Sequence, residues 1–220
     1  MPRPGEISLA HGGVLSLDEL PEFERRTLEV LRQPLETGHI TVARAARQVV
    51  FPAQFQLIAA MNPCPCGYLG DGSGHCRCTA EAVQRYRGRL SGPLLDRIDM
   101  HLELPAVPAR ELLTAAPPGE ASAVVRERVY AAHQRQEARG APNARLDSVA
   151  LERHCALDPA CEQLMVRAID RLGLSARGAH RIIRLARTIA DLAATDVIAP
   201  PHIAEAIGLR VLDRRPRDRG

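Results

Sequence analysis

Apolar and polar positions fall into two regimes along this chain. Up to about residue 105, short apolar runs alternate with turn residues, and beyond residue 120 apolar residues recur at helical spacing. The first telling run is Gly12-Gly13-Val14-Leu15-Ser16-Leu17-Asp18-Glu19. A flexible glycine pair leads into a short apolar stretch that ends in two carboxylates. Such a run predicts a strand buried in a parallel sheet. Residues 2–11 ahead of it read as a loop or short hairpin. From Pro21 to Glu36, residues Phe23, Leu28, Leu31 and Leu35 form an approximately helical stripe. Pro21 suits the start of that helix, Pro34 distorts or ends it, and Gly38 closes it. His39–Val42 alternates and Gln48–Phe51 matches it, which predicts a hairpin turning through residues 43–47. A further apolar strand, Phe55 to Met61, ends at Asn62. Thr79 is placed to cap a helix over 79–90, with Val83, Tyr86 and Leu90 on one face and no chemistry beyond packing. Gly92-Pro93 breaks it, and Met100–Leu104 reads as a strand.

The second regime is helical. Pro105, Pro108, Pro117, Pro118 and Gly119 mark residues 106–120 as a linker. Ala121–Arg139 is then a helix with Val125, Val129, Ala132 and Gln136 down one side. Ser148 is placed to cap a short helix to Cys155, and Asp158 another, with Pro159 at its first position and Gly173 at its end. Ser175 opens a long helix through Leu192, and a last helix starts near Pro201. Residues 213–220 form a charged tail that reads as disordered.

Composition narrows the class. The chain has 220 residues, 45% hydrophobic and 25% charged, which suits a soluble globular protein of one large or two small domains. Aromatics are 3% with no Trp, so the core must be mostly aliphatic. No stretch approaches a membrane span, and Met-Pro-Arg-Pro-Gly is not a signal peptide, so a cytoplasmic location without a membrane partner is expected. A net charge of +3 does not by itself establish a nucleic-acid partner. All 29 basic residues are Arg, which suits bidentate phosphate contacts and is equally consistent with a codon bias. Without Lys, these residues contain no GxxxxGK[ST] phosphate loop.

Four constellations carry candidate chemistry. Asp18 and Glu19 stand where open α/β sheets bind ligands, and two acids there are costly without compensation. The Walker B use fits: Asp18 on Mg²⁺, Glu19 orienting the water that attacks the γ-phosphate of ATP. A strand ending in a solvated Asp-Glu is the plainer alternative, and Ser16 departs from the usual apolar residue. Cys64, Cys66, Cys76 and Cys78 form CxC…CxC around a glycine-rich stretch, a set suited to tetrahedral Zn²⁺. In a cytosolic protein, metal is favoured over disulfides, with free structural thiols as the alternative. His75 is a spare ligand or a surface residue, and Cys155 and Cys161 read as core thiols. Arg44 and Arg47 near the hairpin tip suit DNA phosphates or a merely solvated turn. Arg97, between Asp96 and Asp99, is either a structural Arg–Asp pair or an arginine presented to a neighbour's γ-phosphate.

Taken in order, Gly-Val-Leu-Ser-Leu-Asp-Glu-Leu-Pro-Glu-Phe, Arg-Gln-Pro-Leu-Glu, Ala-Ala-Met-Asn-Pro-Cys-Pro-Cys-Gly and Leu-Ser-Gly-Pro-Leu-Leu-Asp-Arg-Ile-Asp resemble the magnesium-chelatase-like AAA+ ATPases of bacteria, the YifB/ComM group. The resemblance implies an α/β fold: a partial AAA+ P-loop core over 1–105, a parallel sheet with helices, then an α-helical lid over 121–212. It makes Asp18 and Glu19 Walker B, Asn62 sensor 1, Arg97 the arginine finger and Arg177 sensor 2, the last two needed with Asn62 for catalysis. Residues 39–52 resemble the hairpin placed before sensor 1, and the four cysteines match a cluster seen in this group. It also implies ATP and Mg²⁺, a self-assembled ring (a hexamer) and work on DNA of the helicase or branch-migration type. The family's Lon-like domain and Walker A loop are expected upstream, so Met1 falls inside the core and the chain reads as a fragment or truncated product. Two other functions stay open: a metal-insertion ATPase, after the family's name, and a non-catalytic module that binds zinc, DNA or partner subunits.

Overall fold

The chain divides into two units, Met1–Ile98 and Asp99–Gly220. The computed structural model describes residues 3–44, 47–107, 119–210 and 212. The first unit mixes strands and helices. It opens with a one-turn helix, α1 (Glu6–Leu9), where the sequence suggested a loop or hairpin. Gly5 accepts from the backbone of Ser8 and Leu9, and Ile7 tucks against the core, which a four-residue turn achieves without any readable period. Strand β1 (Val14–Leu17) follows. The predicted Pro21–Glu36 helix is broken in two. After a 3₁₀ turn at Leu20–Glu22 come α2 (Arg25–Val30) and α3 (Arg32–Thr37). Pro34 has no N–H and its ring excludes the Val30 carbonyl, so the ladder restarts at Leu31. Gly38, at φ +72°, ends α3 in the left-handed conformation, and a Cβ there would meet Gln54 Cγ at 2.8 Å.

β2 (His39–Arg44) and β3 (Arg47–Pro52) form the expected hairpin, longer than its pattern suggested: pairing continues to Arg44 opposite Arg47. β4 (Gln56–Ala59) returns to lie parallel to β1, from Val14 opposite Gln56 to Leu17 opposite Ala59. α4 (Ala80–Arg87) is capped by Thr79 Oγ1, as expected. A further turn, α5 (Gly92–Leu95), starts on a Ser91 cap with Pro93 in its first turn; the Gly-Pro pair breaks one helix and begins another. The core is Leu20, Leu28, Leu31, Leu90 and Leu94, backed by Leu15, Leu17 and Phe55. It is aliphatic, as the composition required.

Among the described residues the second unit is helical. Its elements are α6 (Ser122–Ala138), a 3₁₀ turn at Asn143–Arg145, α7 (Ser148–His154), α8 (Pro159–Leu172), α9 (Ala176–Leu192) and α10 (Pro200–Gly208). α9 packs on α6 and α10, and α10 on α8. Ile182, Ala186 and Ala190 of α9 meet Met165, Ile203 and Ala206 in the core, with Cys155 and Cys161 buried beside them. Burial raises both of those thiols, Cys161 to about 11.

Three expectations fail here. Met100–Leu104 forms no strand: only His101 bridges Arg210, because the segment finds no longer partner. The cap of α7 is Asp147, one residue before Ser148. On α6 only Ala132 is buried, while Val124, Val129 and Tyr130 remain exposed. Most of the 106–120 linker and the whole 213–220 tail lie outside the described residues. No helix of the described residues is long and apolar enough to cross a membrane.

Candidate functional site

The two parallel strands decide which residues meet. Ala60 N–H donates to Leu17 O and Leu20 N–H to Ala60 O, both at 2.9 Å. The chain segments leaving β1 and β4 are thereby stitched together just beyond the strands. Asp18 and Glu19 on one and Asn62 on the other stand at the same C-terminal sheet edge, all three exposed. That is where an open parallel sheet offers a ligand its crevice.

Glu19 has an unusual backbone. Its φ of 48° and ψ of 45° are left-handed, and its N–H donates to Asp18 Oδ1 at 2.8 Å. The next residues hold it there. Leu20 and Pro21 are buried, and Arg89 donates to Pro21 O at 2.8 Å and to Glu22 at 3.0 Å. A carboxylate such as Asp18 supplies the hard oxygen donor that Mg²⁺ takes, so the residues present fit that ion.

Tyr86 reaches this edge from α4. The sequence assigned it to packing alone. It is buried, and the Asn62 backbone lies close enough to influence its phenol. Burial raises its phenol, and the negative charges of Glu22, Glu19 and Cys64 raise it further, against the lowering effect of the Asn62 backbone. It therefore stands near Glu19, Glu22, Asn62 and Cys64. Only its position on the buried face of a short helix hinted at this.

The four cysteines converge. Sγ of Cys64 is 3.3 Å from that of Cys66 and 3.8 Å from that of Cys76, and Cys66 and Cys76 are 3.7 Å apart. All four Sγ atoms, Cys78 included, lie within 4.8 Å of one another. A disulfide needs about 2.05 Å. A ZnS₄ tetrahedron with bonds of about 2.3 Å has edges of about 3.8 Å. The donor set and spacing therefore fit a tetrahedral thiophilic ion. The glycine-rich loop makes this possible: Gly67, Gly70, Gly72 and Gly74 all turn with positive φ, folding one CxC onto the other. A hydrogen bond from the Tyr68 backbone and one from Cys64 lower the Cys66 thiol to about 6, and a bond with Cys66 pushes Cys78 up to about 12. His75 is outside the cluster, its ring edge-on to Tyr68 at 5.7 Å.

Arg97 is 8% exposed. Its Nε and Nη2 both donate to Glu36 Oε2, the former at 3.1 Å, and Nη1 donates to Pro93 O at 2.6 Å. The acid that grips it is thus Glu36 of α3, while Asp99 takes Arg181 in the second unit. Glu36 was invisible to local reading because 61 positions separate the pair.

In the helical unit, Arg177 follows the Ser175 cap, whose Oγ accepts from Gly178 N–H at 3.0 Å. It is exposed. The other arginines of α9 are not the ordinary surface residues expected. Arg187 is buried, donating to Asp196 O and Thr195 O and paired with Asp191 at 3.2 Å. Asp191 also accepts from Arg139 and, at 2.8 Å, from Asn143. Arg184 donates to Leu146 O. Arg44 and Arg47 are backbone partners in the last described pair of the hairpin register.

The sequence profile described as magnesium chelatase, subunit ChlI, matches residues 1–112, and that of its C-terminal region matches residues 119–210. The protein YifB of Salmonella typhimurium is 49% identical over 97% of this chain, and the competence protein ComM of Haemophilus influenzae is equally similar. An uncharacterized protein of Mycobacterium tuberculosis is 39% identical over 96% of it. The chain spans 42% of the length of each of these relatives.

Proposed function

The chain belongs to the magnesium chelatase subunit ChlI family, and from that premise we propose that it is part of a ring-forming AAA+ ATPase that couples ATP hydrolysis to work on DNA. The observation that carries the reading is the strand pair that brings Asp18, Glu19 and Asn62 to one sheet edge. In this reading residues 1–105 belong to the AAA+ core and 121–212 are its helical lid. Mg²⁺, if bound, would supply charge that neutralises nucleotide phosphates, and Asp18 would hold it through a carboxylate oxygen. Glu19 orients and deprotonates the attacking water. Asn62 hydrogen-bonds the nucleotide's terminal phosphate, and Arg177, beside a helix N-terminus, attracts the same anion. Arg97 serves the neighbouring subunit's nucleotide. The hairpin tip with Arg44 and Arg47 meets DNA phosphates. The name of the Haemophilus relative, a competence protein, supports DNA as the polymer.

Two observations keep other readings in view. The family's name favours metal insertion, although the donor cluster found among the described residues is four cysteines rather than an open cargo site. The absence of Lys favours a non-catalytic module for these residues by themselves. The test is ATP turnover by this chain alone and by a family protein that joins the same residues to a phosphate loop. The chain alone should be inert. The longer protein should hydrolyse ATP faster with DNA present and lose that activity on Glu19→Gln. Undiminished turnover in the Glu19→Gln protein would overturn the assignment.

A further inference from the structure

The segment between β4 and α4 is a closed circuit with Asn62 at its start. Beyond Ala60 the chain leaves the sheet, and Asn62 lies over the first turn of the cysteine loop. A Cβ on Gly67 would sit 3.9 Å from Asn62 Oδ1. Gly67 N–H donates to Cys64 O at 3.0 Å, and Cys64, fully buried, has its Sγ among those of Cys66 and Cys76. The loop's last thiol, Cys78, immediately precedes the Thr79 cap of α4. That helix reaches back to the start of the loop. Arg87 Nε donates to Pro63 O at 3.0 Å, and Tyr86, one residue before it, is buried close to the Asn62 backbone. Asn62 thus lies at the start of the cysteine loop, one residue from Pro63, whose carbonyl α4 holds through Arg87.

Without an ion, the two CxC pairs are joined to each other through weak thiol contacts. A bound metal would replace them with four metal–sulfur bonds, whose binding energy becomes local folding energy. We propose that the four-cysteine centre is a positioning device for Asn62: a thiophilic divalent ion held there fixes Asn62 at the sheet edge beside Glu19, and its loss releases Asn62. Tyr86 is the positioning residue that carries the coupling. This rests on the reading of Asn62 as the residue that contacts nucleotide, and it gives the centre a role beyond local stability.

The chain offers a clean readout, because it contains just two asparagines, Asn62 and Asn143. Asn143 is buried in the helical unit and serves as an internal control. The 220-residue chain, labelled with ¹⁵N-asparagine, is compared under reducing conditions with Zn²⁺ bound and after a chelator. The expected result is that the backbone and side-chain amide signals of Asn62 shift and broaden on metal removal while those of Asn143 stay in place. Tyr86→Phe should retain its zinc by elemental analysis and still move the Asn62 signals towards the metal-free position. Asn62 signals that do not move although zinc demonstrably leaves would overturn the coupling. Unmoved signals in Tyr86→Phe would overturn the role of Tyr86. Absence of zinc from the folded, reduced chain would overturn the metal centre itself, an outcome distinct from the other two. None of these readouts depends on ATP turnover, so failure of the ATPase reading would be seen separately.

Discussion

Removal of Glu36 is the perturbation that reports most directly on Arg97. Arg97 is 8% exposed and donates through Nε and Nη2 to one oxygen of Glu36, whose side chain is 35% exposed. Its remaining contact is Nη1 to Pro93 O. A hydrogen bond to a charged group contributes about 1.5–3 kcal/mol, whereas an exposed ion pair contributes about 0–1 kcal/mol. The partial exposure of Glu36 puts this pair between those limits. Glu36→Ala is therefore expected to destabilise the first unit by about 1–2 kcal/mol, near a tenfold change in its folded-to-unfolded ratio. Glu36→Gln keeps an acceptor oxygen and should cost less.

The two units need not unfold together, so a whole-chain melting curve would blur the effect. Amide exchange of residues 31–38 and 90–98 resolves it, because those amides flank the pair. The cycle of Glu36→Ala, Arg97→Met and the double variant should give a coupling of about 1–2 kcal/mol. Zero coupling would refute the reasoning, since Arg97 would then point away from Glu36 in solution. A finger has to present its guanidinium to a neighbouring phosphate. If Arg97 is the finger proposed above, Glu36→Gln should lower turnover of an assembled ring while leaving a subunit's own ATP affinity in place.

Three further outcomes are expected. Elemental analysis of the reduced chain should find about one Zn²⁺, and Cys78→Ser should weaken its binding and loosen the loop without unfolding the unit. Asp191→Ala leaves Arg139 and Arg187 with no buried counter-charge and should cost the helical unit about 3–5 kcal/mol in urea unfolding; a loss under about 1 kcal/mol would mean the network does not form. The Cys161 backbone N–H bonds Asp158 and holds its carboxyl below the usual carboxylate range. A lowered native pKa means a contribution present above the unfolded value and lost as pH falls through the native one, so Asp158→Asn should flatten the acid limb of stability below about pH 4.

The legible parts of the molecule were those whose cause is local. Thr79, Asp158 and Ser175 cap the helices they were expected to cap, because a cap needs only a side-chain oxygen three residues before an orphan N–H. The CxC…CxC pairs converge because glycines between them can turn with positive φ. What was hidden depends on distant partners. Met100, Leu102 and Leu104 alternate like a strand, but a strand exists only where another pairs with it, and these side chains stay 44%, 61% and 86% exposed. Arg187 looked like one more surface arginine of α9. Its burial follows from Asp191 one turn on and from Asn143 and Arg139 some fifty positions earlier. For Arg97, the flanking aspartates were visible and Glu36 was not. The roles of Asp18, Glu19, Asn62 and Arg177 rest on motif resemblance; the sheet adds that the first three share one edge.

The backbone at Glu19 bears on why that edge is built as it is. An L-residue in the left-handed region costs roughly 1–2 kcal/mol, and glutamate has no short side chain to soften it. A strand that simply continued would avoid this cost. Here the kink follows directly after Asp18, and the surroundings enforce it: Leu20 N–H bonds Ala60 O, Leu20 enters the leucine core, and Arg89 holds Pro21 O. Three separate contacts thus outweigh one unfavourable φ. Their effect is to swing Glu19 out of the strand's alternation, so that Asp18 and Glu19 need not occupy opposite faces as neighbours in a strand do. Strain of this sort persists where the surrounding structure over-determines it, and such places cluster at functional sites. A solvated Asp-Glu at a strand end would require neither the kink nor its supports. Under the proposed function, this backbone is what would let the two acids act together, one on a cation and one on the water beside it.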